Sequence, residues 1–129
     1  MTARRKKAMS LVKTLGHTLL AGTFIAGGAN TFINPDGRAS KVEQAGIPLA
    51  RQATIINGVV MVVAGTALAV GFLPKVAALA LLGSLIPTTL VGHPFWQEQT
   101  PQGRANQQIH FNKNLSMIGG LLVVLFEKD

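Results

Sequence analysis

The chain has 129 residues, 48% of them apolar and only 13% charged, against roughly 25% charged in an average soluble domain. Its seventeen charged residues leave uncharged gaps of 22, 23, 22 and 13 residues, which together hold 80 positions. An ordinary soluble domain is excluded, because its exposed helix faces would be interrupted by charge; the pattern is that of an all-α polytopic membrane protein. Cysteine is absent, so disulfides, thiol redox chemistry, thiolate zinc sites and iron–sulfur ligation are excluded together. The net charge of +7 does not call for a nucleic-acid partner, because Arg4, Arg5, Lys6, Lys7 and Lys13 cluster before the first apolar run. Basic flanks of that kind suit an anionic inner leaflet and membrane lipids as partners.

In chain order, residues 1–14 form a basic cytoplasmic tail, and residues 15–126 a four-transmembrane-helix bundle. The first span covers about 15–33 and stops at Asn34-Pro35-Asp36-Gly37, a turn signal. Arg4 to Lys7, the apolar run and Ala26-Gly27-Gly28 outline a signal peptide, but the segment is expected to be retained as a span. Arg38 to Ala45 can form one or two helical turns on the outer surface. The second span, about 49–73, follows Ile47-Pro48, with the proline suited to a first helical turn. Leu73-Pro74-Lys75 makes a tight turn into the third span, about 75–92, where Pro87 cannot donate to the Gly83 carbonyl and predicts a kink. Gln97 to Gln108 is polar and expected to be a solvated loop.

The fourth span, about 109–126, is the weakest. Its uncharged stretch Asn114 to Phe126 would rise only about 20 Å against a hydrocarbon core of about 30 Å, so Lys113 must snorkel or sit inside the bundle. Lysine and arginine counts, seven inside against five outside, place both the N- and C-termini in the cytoplasm. The implied location is a bacterial plasma membrane, crossed several times.

No acid falls inside a span, since Asp36, Glu43, Glu98, Glu127 and Asp129 all lie in loops or tails. A proton-coupled exporter or pump-like relay ordinarily needs such a buried acid. Haem ligation by facing histidines is disfavoured because His17 lies at the inner side and His93 and His110 at the outer. His110 is moreover expected in a loop. No nucleophile–base pair, phosphate-cradling glycine loop or metal motif is visible. No catalytic or metal-ligating residue is therefore assigned, and no intrinsic cofactor.

Polar residues within the spans are lopsided. Asn30 and Asn34 end the first span, Asn57 lies in the second, Thr88 and Thr89 precede His93, and Asn112, Lys113 and Asn114 open the fourth. All belong to the outer half, where polar groups must find partners inside the protein. They are expected to converge, either as glue between helices or as a shallow pocket for an amphipathic molecule such as a quinone or a lipid headgroup. The candidate site is His93, Trp96, Lys113, Asn114, Asn57 and Asn30. Small residues four apart (Gly65/Ala69, Ala67/Gly71, Ala80/Ser84, Ser116/Gly120) permit close helix packing, within the bundle or in a homo-oligomer.

The order Asn34-Pro35, Gly46-Ile47-Pro48, Pro74-Lys75-Val76-Ala77-Ala78, His93-Pro94-Phe95-Trp96 and Lys113-Asn114-Leu115-Ser116-Met117-Ile118-Gly119-Gly120 resembles the DoxX family of small four-helix bacterial membrane proteins. The family takes its name from a membrane subunit of thiosulfate:quinone oxidoreductase, and some members are linked to redox homeostasis. The resemblance implies an accessory membrane subunit of a respiratory or other redox-associated assembly, contacting quinone and other membrane subunits. The alternatives it leaves are a stand-alone quinone- or thiosulfate-linked oxidoreductase, or a small transporter or lipid-binding protein. Many relatives carry a glutamate early in the second span, near Asn57 here, and a lysine near the end of the first, where Asn30-Thr31 stands. His93, Phe95, Trp96, Lys113 and Asn114 do match, so a retained site is expected among them.

Overall fold

The computed structural model describes residues 3–128, with side chains from Ser10 onward. Five α-helices and one 3₁₀ turn make up the described residues. Helix α1 spans Ala3–Ile33, 31 residues. Its basic start, expected as a tail, continues the helix, since alanine, arginine, lysine, methionine and leucine all favour it and no proline intervenes. The side chains of Arg4, Arg5, Lys6 and Lys7 lie outside the described residues. Asn34 precedes Pro35, which disfavours a helical conformation at Asn34 and ends α1.

Helix α2, Asp36–Gln44, begins two residues before the expected surface turns and carries Asp36 in its first turn, where the helix dipole favours an acid. Helix α3 is Ala50–Val70. Pro48 thus precedes the helix instead of occupying its first turn, and the chain enters through Leu49 in the left-handed region, φ 52°. Gly71, φ 76°, closes α3, and the Phe72 N–H donates to the Ala67 carbonyl at 2.8 Å in the manner of a Schellman cap. Helix α4, Pro74–Gly92, has proline in its first turn and continues unbroken through Pro87.

After the 3₁₀ turn Phe95–Gln97, helix α5 spans Pro101–Phe126. Here the sequence expectation is corrected: the helix starts well before residue 109 and absorbs most of the polar stretch assigned to a loop. The cause is local. Thr100 accepts a hydrogen bond from the Gly103 N–H at 3.0 Å and Pro101 occupies the first turn, a start signal followed by residues that tolerate helix.

Among the described residues three stretches are long and apolar enough to cross a membrane: Ala50–Val70, Pro74–Gln97 and Pro101–Phe126. Helix α1 has the length, but His17, four threonines and four glycines between Lys13 and Ile33 dilute its apolar character. The outward faces of the long helices are nonetheless apolar. Leu19, Val63, Val70, Leu79, Leu90 and Val123 are all exposed, a belt suited to lipid and not to water.

Helix α1 packs chiefly on α3, α3 on α4, and α4 on α5, whereas α1 and α5 touch sparsely. Lys13 and His17, within α1, nevertheless meet the C-terminal end of α5. Lys13 Nζ donates to the Lys128 carbonyl at 2.8 Å, and Glu127 Oε1 lies 3.8 Å from Lys13 Nζ and 2.7 Å from the His17 Nε2. That last approach is close but lacks hydrogen-bond alignment. The α3–α4 turn shares this end; α2 and the α4–α5 link occupy the opposite one, called here the far end.

The apolar core fills the half nearer the termini. Phe24, Leu68, Leu81 and Leu121, one from each long helix, are fully buried, with Ala21, Ala64, Ala77, Ala78 and Val124 around them. The α1–α3 crossing is set by glycine. A Cβ on Gly28 would lie 2.7 Å from the Gly58 carbonyl oxygen, and one on Gly58 would lie 3.0 Å from that of Gly28. Of the small-residue pairs seen in the sequence, Gly65 belongs to this crossing, against Phe24 and Ile25.

Candidate functional site

Above the apolar core the bundle changes character. The helix positions that point inward switch from leucine and alanine to Thr31 on α1, Thr54 and Asn57 on α3, Ser84, Thr88 and Thr89 on α4, and Asn114 on α5. Polar side chains at this depth need partners within the protein. They have them. Ser84 Oγ donates to Asn57 Oδ1 at 2.7 Å, Asn57 Nδ2 donates to Thr88 Oγ1 at 3.1 Å, and Thr88 Oγ1 returns its proton to the Ser84 carbonyl at 2.7 Å. On the other side Asn114 Nδ2 donates to Thr89 Oγ1 at 3.1 Å, and Thr89 donates to the Leu85 carbonyl at 2.7 Å. The network ties α3 to α4 and α4 to α5.

These residues line a cavity of about 530 Å³ between α1, α2, α3, α4 and α5. Asn57, Thr88 and Asn114 supply hydrogen-bonding groups, while Met61, Leu85, Val91 and Met117 supply apolar wall. Helix α2 lies across the far end and adds Arg38 and Lys41, and α5 adds Lys113. Lys41 Nζ donates to the Gly92 carbonyl at 2.9 Å, a cation at the C-terminus of α4 where the dipole favours one. Arg51 pairs with Asp36 at 3.2 Å and fastens α2 to α3. Among the described residues no acid lines the cavity.

His93 sits where α4 ends and also lines the cavity. Its Nδ1 shares a 2.8 Å hydrogen bond with Gln107 Oε1, and its ring stacks on His110 with centroids 5.1 Å apart and planes 22° from parallel. The two histidines do meet, because His110 stands on α5 and not in a loop. Face-to-face rings do not present their nitrogens to opposite sides of one iron, as axial ligation requires. Among the described residues no group of three or more histidine, cysteine or acidic side chains is placed to hold a metal ion.

Of the residues expected to converge, His93, Asn57, Lys113 and Asn114 do line one cavity. Trp96 and Asn30 do not. Trp96 joins Phe95 and Phe111 in an edge-to-face cluster, centroids 5.2–5.9 Å apart, that seats the α4–α5 link on α5. Asn30 is exposed and accepts only from Asn34 Nδ2, at 3.4 Å. Sequence reasoning missed Arg38, Lys41, Thr54 and the role of Ser84. Their signal was available in part: Arg38 and Lys41 are three apart and share a face of α2, and Ser84 and Thr88 are four apart on α4.

A model of the DoxX family matches residues 13–94. The chain belongs to the DoxX family. With its apolar helices, this makes it a multi-pass membrane protein. The matched stretch holds α2, α3, α4, most of α1, and the cavity residues Asn57 and His93; Trp96, Lys113 and Asn114 lie beyond it. No curated protein and no solved structure matches the chain.

Proposed function

We propose that this DoxX protein is an accessory integral membrane subunit of a redox-associated assembly, with its far-end cavity receiving an amphipathic ligand of the quinone kind. In this reading α1 crosses the bilayer with the other three long helices, both termini are cytoplasmic, and the membrane is the bacterial plasma membrane. The meeting of Lys13 and His17, at the start of the first apolar run, with Glu127 and Lys128 supports it, because that needs an even number of crossings between them. So does the Phe95–Trp96–Phe111 cluster, of the kind that anchors at a membrane interface.

The observation that carries the reading is the cavity itself. Its volume suits a ring-sized group, it opens among the long helices, and it combines amide and hydroxyl groups with apolar wall. A quinone carbonyl accepts hydrogen bonds, and Asn57 Nδ2, Asn114 Nδ2 and the Lys113 ammonium are the donors that could turn to it. The chain supplies binding and orientation; electrons would come from a partner subunit.

The test is gentle solubilisation from the native membrane, followed by identification of co-migrating proteins and extraction of bound quinone. An oxidoreductase partner and a stoichiometric quinone, the latter reduced severalfold in His93→Ala and Lys113→Ala, are expected. A chain that migrates alone and carries no quinone would overturn the reading.

A further inference from the structure

The cavity also carries net positive charge that a neutral quinone ring, even one accepting from Lys113, leaves unbalanced. Arg38, Lys41 and Lys113 all line it, with no carboxylate among the lining residues. Lys41 is held by the Gly92 carbonyl, a neutral partner that leaves its charge unbalanced. Arg38 and Lys113 have no hydrogen bond or ion pair among the described residues. Of the two acids on α2, Asp36 is engaged by Arg51, and Glu43 neither lines the cavity nor forms an ion pair among the described residues. All three are exposed at the rim of one cavity, where like charges repel and their summed field favours an anion that can reach them together.

Depth adds to charge. Lys113 is two residues, about 3 Å of helix rise, from Phe111 in the aromatic cluster, on the side towards the core. Its charge therefore sits just inside the interfacial layer. Beside it the cavity runs down between α1 and α5, the long helices that pack sparsely, past Gly27, Met61, Leu85 and Met117. Cations at the level of headgroups above an apolar slot at the level of acyl chains form the outline of an amphipathic anion.

We infer that Arg38, Lys41 and Lys113 form a binding site for a phosphate group, with an anionic phospholipid as its carrier and inorganic phosphate as the free form of the same chemistry. Arg38 offers a planar fork to two phosphate oxygens, and the two ammonium groups act as point charges around it. The inference rests on reading this cavity as a ligand site, and its anionic occupant is independent of whether a quinone also binds.

Protein purified in a neutral maltoside detergent is titrated with short-chain phosphatidylglycerol, short-chain phosphatidylcholine and inorganic phosphate, and bound molecules are counted by native mass spectrometry. Phosphatidylglycerol is expected to bind about tenfold or more tightly than phosphatidylcholine, and Arg38→Gln/Lys113→Gln to abolish that preference. Arg38→Lys/Lys113→Arg keeps both charges and should retain most of it, which separates lost charge from lost folding. Competition by inorganic phosphate would make the free ion a ligand in its own right; its failure to compete would fix the lipid as the source. Equal binding of the two lipids, or an unchanged preference in Arg38→Gln/Lys113→Gln, overturns the inference. Short-chain quinone retention, measured on the same samples, tests the other reading separately. Lipid selectivity without quinone removes the quinone, and quinone without lipid selectivity removes the phosphate site.

Discussion

Asn57 is the residue on which the polar half of the bundle turns, because its amide both accepts from Ser84 and donates to Thr88. Interhelical hydrogen bonds within a membrane contribute about 0.6 kcal/mol on average and up to about 1.7 kcal/mol. Asn57→Ala is accordingly expected to lower the stability of the detergent-solubilised protein by roughly 1–2 kcal/mol, read as a fall in thermal midpoint. Lys113 should behave in the opposite way. It gains no hydrogen bond or ion pair from the described residues and shares its cavity with Arg38 and Lys41. Replacing it by methionine, which keeps the stem and drops the charge, should leave the midpoint unchanged or raise it while ligand retention falls. A group that costs stability and holds a ligand is the signature of a binding residue; a lower midpoint for Lys113→Met would instead make it structural.

Elements register the same logic on a longer scale. The α1–α3 contact depends on Gly28 and Gly58, whose backbones approach so closely that a Cβ on Gly28 would meet the Gly58 oxygen at 2.7 Å. Gly28→Ala must push the helices apart, at a cost of about 1–3 kcal/mol. Gly22, where a Cβ would meet nothing within 4 Å, offers the control: Gly22→Ala should be neutral or slightly stabilising. The start of α5 is held by Thr100, and Thr100→Ala is expected to cost about 1 kcal/mol, with faster amide exchange over the first turns of α5. These same elements show how far the sequence carried. The long apolar runs announced α3 and α4 because charge-free stretches leave few alternatives to a buried or lipid-facing helix. The first half of α5 was obscured because its glutamines and asparagines give no apolar stripe, and only the Thr100-Pro101 cap betrays it. Asn57, His93, Lys113 and Asn114 could be placed together from the common level that the apolar runs assign them. Arg38 and Lys41 could not, since nothing local says that α2 folds back over the bundle.

For the whole molecule, the meeting of Lys13 and His17 with Glu127 and Lys128 joins α1 to α5 at one end, although the two helices diverge towards the other. The absence of cysteine makes the arrangement directly testable. Single cysteines at Gln44 and Gln102 should react with a membrane-impermeant maleimide in intact cells, and ones at Lys75 and Lys128 only after lysis. Labelling of all four from outside would refute the orientation. The closed half of the molecule then bears on traffic across the bilayer. Among the described residues, Phe24, Leu68, Leu81 and Leu121 fill the bundle beneath the polar network. If the helices cross the bilayer as proposed, the cavity is a blind cup served from one leaflet, and a ligand that enters leaves by the same mouth. Passage of a solute from one compartment to the other would require the four-residue plug to melt, so this architecture favours residence over conduction.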